Sequence, residues 1–312
     1  MTKPGAFIFF ADLDQTVTPL DMAGVARWID IVRLIQSATG VKVKVVPITG
    51  RNAEYALCFL HMMNASFNSA GLPDVFECAA GEQGATVVKA CASYDVTHLG
   101  TRSDLKQIVA DIVSHSEWAG IIVDEPGKRF TCSLHIRNEI KSQMQKNDQL
   151  DVFRSLADTI AASPSLNAGP PGINTAMSHK CLEVSFCDVS KAKALDHIMS
   201  AYSRDFEIVG ISYSGDGEND AECVDFCARL AEVSGTMQVH VFLPSNAVAS
   251  LDSSAIESWK DAHPTAHRVV QRAQRPLLAG VLDLVEASLA RGDLVGGSAR
   301  AKQQVKEEEE EE

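Results

Sequence analysis

The 312-residue sequence contains no C-x-x-C pair, no repeat with a period of 20–50 residues and no excess of positive charge. It also has no apolar run approaching the roughly 18 residues of a membrane-spanning helix. Each absence excludes something. The eight cysteines (Cys58, Cys78, Cys91, Cys132, Cys181, Cys187, Cys223 and Cys227) are scattered through apolar contexts and are expected to be reduced core thiols. The start, MTKPG, lacks the apolar stretch of a signal peptide, so a cytoplasmic protein without membrane association is expected. The formal charge is −13, of which the terminal EEEEEE supplies six, leaving about −7 for residues 1–306. That balance argues against nucleic acid or an anionic membrane as a partner.

What the chain does have is apolar material in quantity, 46% of residues, enough for a sizeable core in one large or two smaller domains. AFIFFA (6–11) reads as a short buried strand, MAGVARWIDIVRLIQSATG as an amphipathic helix ending at Gly40, and VKVKVVPITG as a second strand running into a turn. NAEYALCFLHMMN predicts another helix, and VFECAAGEQGATVV a strand followed by a glycine turn. This alternation is that of a parallel sheet covered by helices.

From about Arg102 the rhythm becomes helix, hairpin, helix, hairpin: DLKQIVADIVSHS, AGIIVDEPGKRFTCSLHIRN, QLDVFRSLADTIAAS and GINTAMSHKCLEVSF. The parallel rhythm then resumes through KAKALDHIMSAY, FEIVGISYSG, ECVDFCARLAEVSG, QVHVFL and PLLAGVLDLVEASLARG. The expectation is an α/β, Rossmann-like parallel-sheet core interrupted by an inserted α+β module. Its boundaries are residues 1–101 and 187–292 for the core, 102–186 for the insert, and 293–312 for a disordered acidic tail.

Four polar clusters end predicted strands or open predicted helices: Asp12 with Asp14 and Thr16, then Thr49-Gly50-Arg51, then Lys191, then GDGENDAE from Gly215 to Glu222. In a parallel sheet the carboxyl ends of all strands share one edge, so clusters distant in sequence meet there. Their chemistry is mutually consistent. A carboxylate can attack phosphorus, and a carboxylic acid two residues on can protonate a leaving alcohol and later deprotonate a water. Anions gathered round a phosphate require a hard cation such as Mg²⁺. Thr49 can hydrogen-bond phosphoryl oxygens, and Lys191 can neutralise developing charge. Lys193 competes for that last role, but Lys191 lies at the helix start.

DLDQT, PITGR, the lysine before a helix and GDGENDAE resemble, in order, the four motifs of the haloacid dehalogenase-like phosphatases, over residues 6–100 and 185–290. The resemblance implies Asp12 as nucleophile and Asp14 as general acid/base, with Thr49 and Lys191 as phosphate ligands. It implies Mg²⁺ held by Asp12, the backbone carbonyl of Asp14 and Asp216, with Asp220 supporting that metal site. Gln15 stands where the family has glycine, which narrows the backbone freedom of the loop.

The insert is similar to the α/β cap of sugar phosphatases, and most of all to that of the trehalose-6-phosphate phosphatase family. Glu125, Lys128, His135, Arg137 and Glu183 follow that family's order, although Glu125 is one residue too far from Lys128 and Ile136 replaces a tyrosine. The implied activity is a Mg²⁺-dependent phosphomonoesterase acting on a small sugar phosphate, expected to be trehalose 6-phosphate. Arg51, Glu125, Lys128 and Glu183 would contact the substrate. The same residues also fit a surface arginine and ordinary cross-strand ion pairs. Sucrose phosphate, mannosyl-3-phosphoglycerate or a hexose phosphate would suit the same core, as would a phosphomutase or a catalytically weak regulatory module. The oligomeric state is not legible in the sequence.

Overall fold

Strand β1 (Gly5–Asp12) is buried along seven of its eight residues because both faces of the sheet are covered. Phe7, Phe9 and Ala11 enter one apolar layer, and Ile8 and Phe10 enter the other. The computed structural model describes residues 3–90, 95–177, 180–233, 237–252 and 268–294. Residues 295–312 of the expected tail lie outside the described residues, as does Cys91.

In chain order the elements are α1 (Met22–Thr39), β2 (Lys42–Ile48), α2 (Ala53–Ser69), β3 (Cys78–Gly81), β4 (Thr86–Lys89) and β5 (Asp95–His98). Next come α3 (Leu105–Ser114), β6 (Ile122–Asp124), β7 (Cys132–Ile136), the short α4 (Asn138–Lys141), α5 (Lys146–Ala161) and the short α6 (Pro164–Asn167). The chain continues through β8 (Ile173–Met177), β9 (Leu182–Phe186), α7 (Lys191–Tyr202), β10 (Glu207–Ser214) and α8 (Ala221–Val233). It ends with β11 (Gln238–Leu243), β12 (Arg268–Arg272) and α9 (Leu277–Arg291).

Eight strands form one sheet in the order β12-β11-β10-β1-β2-β3-β4-β5. It is parallel from β12 to β3 and antiparallel from β3 to β5. One apolar layer joins α1, α2 and α9 to the sheet, and the other joins α7 and α8. Helix α1 shows how local chemistry sets these elements. Asp21 caps it by accepting from the Gly24 N–H at 2.6 Å, Val25, Trp28, Ile31, Val32 and Ile35 line its buried stripe, and Gly40 ends it at φ 69°.

The stretch from Val75 to Val88, expected as one strand and a glycine turn, is an antiparallel pair, β3 and β4, joined by a 3₁₀ turn at Glu82–Gly84. Strands β5 and β12 carry no strong alternation and were not expected. Helix α2 runs five residues beyond Asn64, whose side chain donates to the Phe76 carbonyl at 2.6 Å while Phe67 continues the buried stripe.

A second, antiparallel sheet, β6-β7-β9-β8, carries its own core with α3 and α5: Leu105, Val109, Phe153, Leu156 and Ile160 meet Cys132, Leu134, Val184 and Phe186. The loop between β6 and β7 reaches the large sheet, where Phe130 stacks on His98 of β5 with ring centroids 3.8 Å apart. Cys58 and Cys187 are exposed, against the expectation of core thiols. Cys181 is half-buried, and Cys78, Cys132, Cys223 and Cys227 are buried. Among the described residues no helix is long and apolar enough to cross a membrane.

Candidate active site

β1, β2 and β10 are neighbours in the sheet, so Asp12 at the end of β1, Thr49 just past β2 and Asp216 just past β10 fall on one edge. The chain then turns tightly beyond Asp12. The N–H groups of Val17 and Thr18 both donate to the Leu13 carbonyl, at 3.0 and 2.7 Å, and Asp14 bridges to Thr18. Gln15 adopts φ 62°, the left-handed conformation that glycine takes without strain, despite its side chain. The turn therefore has the shape that the missing glycine would favour.

Asp12 is buried, and its Oδ1 accepts from Lys191 Nζ at 2.7 Å. The same ammonium donates to Asp220 Oδ1, also at 2.7 Å. Burial pushes the Asp12 carboxyl well above the usual range. Lys191 opposes that shift, while Asp220 and Asp216 reinforce it. For Lys191 burial alone would lower the pKa, but the two carboxylates outweigh it and hold the ammonium charged. Lys193, the competing lysine, is exposed and donates to the Cys187 carbonyl at 2.7 Å.

Both oxygens of Asp220 are engaged. Oδ1 accepts from Lys191 and from Tyr213 Oη at 2.6 Å, and Oδ2 accepts from the N–H groups of Asp216 and Gly217 at 3.0 and 2.9 Å. Asp216 is oriented by Thr16, whose hydroxyl donates to Oδ1 at 3.0 Å, and burial raises its pKa. Oxygens of Asp12, Asp216 and Asp220 lie within 4.8 Å of one another. This donor set fits a hard divalent cation: all donors are oxygens, and burial disfavours the charged forms of Asp12 and Asp216, which a bound cation would offset.

Thr49 is fully buried, and its hydroxyl accepts from the Arg51 N–H at 3.1 Å. The Arg51 guanidinium grips Asp14 through two hydrogen bonds, Nε to Oδ2 at 3.1 Å and Nη2 to Oδ1 at 3.2 Å, and stands 3.6 Å from Glu125. Its own pKa rises because of the Asp14 hydrogen bonds. Arg51 thus links the edge of the large sheet to the small one.

On the small sheet Lys128 is buried between Glu125 Oε2 at 3.4 Å and Glu183 Oε2 at 3.2 Å, and it donates to Ser133 Oγ. Ser133 and Cys181 both hydrogen-bond Glu183 Oε1, at 2.6 and 3.4 Å. The lysine is sealed beneath the two glutamates, which are the partly exposed members of the group. His135 is half-buried on β7 and Arg137 is exposed just beyond it.

Four site residues escaped the sequence reading. Tyr213 read only as strand core, although a tyrosine at the end of a buried strand needs a partner for its hydroxyl. Gln83 accepts from Asn219 at 3.2 Å. Asn246 donates to the Gln15 carbonyl at 2.8 Å and accepts from the Leu277 N–H at 3.0 Å. Glu82 is fully buried and accepts from three backbone N–H groups, at residues 129–131. No local signal marked Gln83, Asn246 or Glu82, since their partners lie far away in the chain.

No protein-family model and no curated protein matches this chain. Solved structures do. The Thermotoga maritima protein TM0651 is 14% identical with a TM-score of 0.53, covering 92% of this chain and 97% of that one. A haloacid dehalogenase-like hydrolase from Bacteroides thetaiotaomicron is 11% identical with a TM-score of 0.51, over 92% of this chain and 99% of that one. The C-terminal domain of the Candida albicans trehalose synthase regulatory protein is 14% identical with a TM-score of 0.52, over 78% of this chain and 86% of that one. At such identities the likeness is one of fold: an α/β architecture shared with these structures, one of which is a haloacid dehalogenase-like hydrolase.

Proposed function

We propose that the protein is a Mg²⁺-dependent sugar phosphatase working through an aspartyl-phosphate intermediate, with trehalose 6-phosphate as the first substrate to test. The observation that carries this reading is the buried contact of Asp12 with Lys191 at 2.7 Å, beside Asp216 and Asp220. A carboxylate and an ammonium held dry, with further acids converging on them, are suited to an anionic substrate whose charge shifts during reaction.

An oxygen of Asp12 attacks phosphorus, the new O–P bond forms, and the bond from phosphorus to the sugar oxygen breaks. Asp14 donates its proton to the departing oxygen. It then takes a proton from water, whose oxygen attacks phosphorus and frees both phosphate and Asp12. Thr49 and Lys191 hold the phosphoryl oxygens. Asp12, Asp216 and the Asp14 carbonyl hold the cation, which supplies charge neutralisation when bound. Asp220, with its four hydrogen bonds, orients Lys191 and the Asp216 loop. Glu125, Glu183 and Arg51 meet the sugar, while Lys128 fixes the two glutamates from below.

The test is phosphate release from a panel of sugar phosphates with Mg²⁺ present and after exhaustive chelation. Turnover of one sugar phosphate that chelation abolishes supports the reading. Turnover that survives chelation, or a panel without any turnover, overturns it.

A further inference from the structure

Among the described residues, the turn between β3 and β4 is the one stretch with three consecutive residues at positive φ. Glu82, Gln83 and Gly84 have φ of 52°, 56° and 87° in succession. Two of the three carry side chains in a region that disfavours them, so the turn persists only where its surroundings over-determine it.

Those surroundings are the proposed phosphate site on one side and the small sheet on the other. The Glu82 N–H donates to the Arg51 carbonyl at 2.6 Å, and the Gln83 N–H donates to the Thr49 carbonyl at 3.1 Å. Gln83 Oε1 accepts from Asn219. Gly84 lies so close to the start of α7 that a Cβ there would stand 2.2 Å from the Ser190 carbonyl oxygen and 2.8 Å from the Lys191 nitrogen. The turn therefore abuts three of the four polar clusters.

Its other contact is the Glu82 side chain. The carboxylate is fully buried and accepts from the consecutive N–H groups of Arg129 (2.9 Å to each oxygen), Phe130 (2.8 Å) and Thr131 (3.2 Å), in the loop between β6 and β7. A buried carboxylate needs its charge answered, and here backbone dipoles of the small sheet answer it. An amide would serve less well: even with its oxygen on the three donors, it would lose the charge and set its own N–H against that of Arg129.

We propose that Glu82 is a positioning residue that makes phosphate-site geometry depend on the seating of the small sheet. Its carboxylate seats the β6–β7 loop, and the left-handed turn carries that seating into Thr49–Arg51, Lys191 and Asn219. The roles of Thr49 and Lys191 in this inference rest on the function proposed above.

The experiment compares wild type and Glu82→Gln by backbone amide exchange and by turnover of a sugar phosphate and of p-nitrophenyl phosphate. In Glu82→Gln, exchange should rise at least tenfold at residues 129–131 and at least threefold at Thr49, Arg51 and Gln83, while Val239–Val241 of β11 stay as in wild type. Its kcat should fall at least tenfold on both substrates. A role confined to holding the small sheet would leave p-nitrophenyl phosphate turnover intact. Loss of protection at residues 129–131 alone, or at neither segment, overturns the proposal. So does a Glu82→Gln enzyme that hydrolyses p-nitrophenyl phosphate like wild type. Should Glu82→Gln fail to fold, Glu82→Asp keeps the charge but withdraws it from the amides, and the same outcomes apply. A wild type without phosphatase activity would remove the proposed function and leave the exchange measurement to decide the coupling.

Discussion

Two buried lysines in this molecule each sit between two carboxylates, yet they differ in a telling way. Lys191 touches Asp12 and Asp220 at 2.7 Å, and those carboxylates are 7% and 0% exposed. Lys128 stands 3.2–3.4 Å from Glu183 and Glu125, which are 23% and 24% exposed. The first group is sealed from water, so its charges act at low dielectric and a change in one is felt by the others. The second is sealed only underneath, and its glutamates are partly exposed to solvent. One arrangement manages charge, and the other presents hydrogen-bonding groups on a rigid base.

The comparison can be broken most forcefully at Asp12. Asp12→Asn removes the proposed nucleophile and one cation ligand together, so phosphate release should fall by roughly 10⁴-fold or more, since units of this kind fail when one member goes. Turnover within tenfold of wild type, with contaminating phosphatase excluded, would end the assignment. The next effect is on stability. Lys191→Met leaves buried carboxylates without their cation and should cost about 3–5 kcal/mol in denaturant unfolding at neutral pH. A third variant separates substrate reading from chemistry: if Glu183 meets the sugar as proposed, Glu183→Ala should lose about 10- to 1000-fold in kcat/KM on the preferred sugar phosphate, because a site that pairs hydroxyls is left unsatisfied. On a small aryl phosphate it should remain near wild type, and equal losses on both substrates would assign Glu183 to the fold alone. The smallest effect sharpens the contrast. Lys128→Met should cost only about 1–2 kcal/mol, since water can reach both glutamates. Equal destabilisation by the two lysine substitutions would show that exposure does not separate the pairs.

Much of the fold was legible because it is written in local chemistry. Asp21 and Gly40 bracket α1, Lys191 opens α7 and Tyr202 closes it, and the run from Ala6 to Ala11 is strand on hydrophobicity alone. The short β3, β4 and β5 were less legible: strands of four residues give too little alternation to separate two elements from one. The choice between Lys191 and Lys193 shows the same boundary. Both lie in the first turn of one helix, and only the packing of α7 against the sheet buries the first and exposes the second.

By itself the sequence determined which residue types stand at the ends of β1, β2 and β10 and at the start of α7. A parallel sheet then brings those ends to a single edge whatever the details of packing. Tertiary structure alone decided which partners they found there. Lys191 meets Asp12 across 179 positions of chain, and Lys128 meets Glu183 across 55. Glu82 is answered by backbone N–H groups, which every residue but proline possesses and which leave no mark in a sequence.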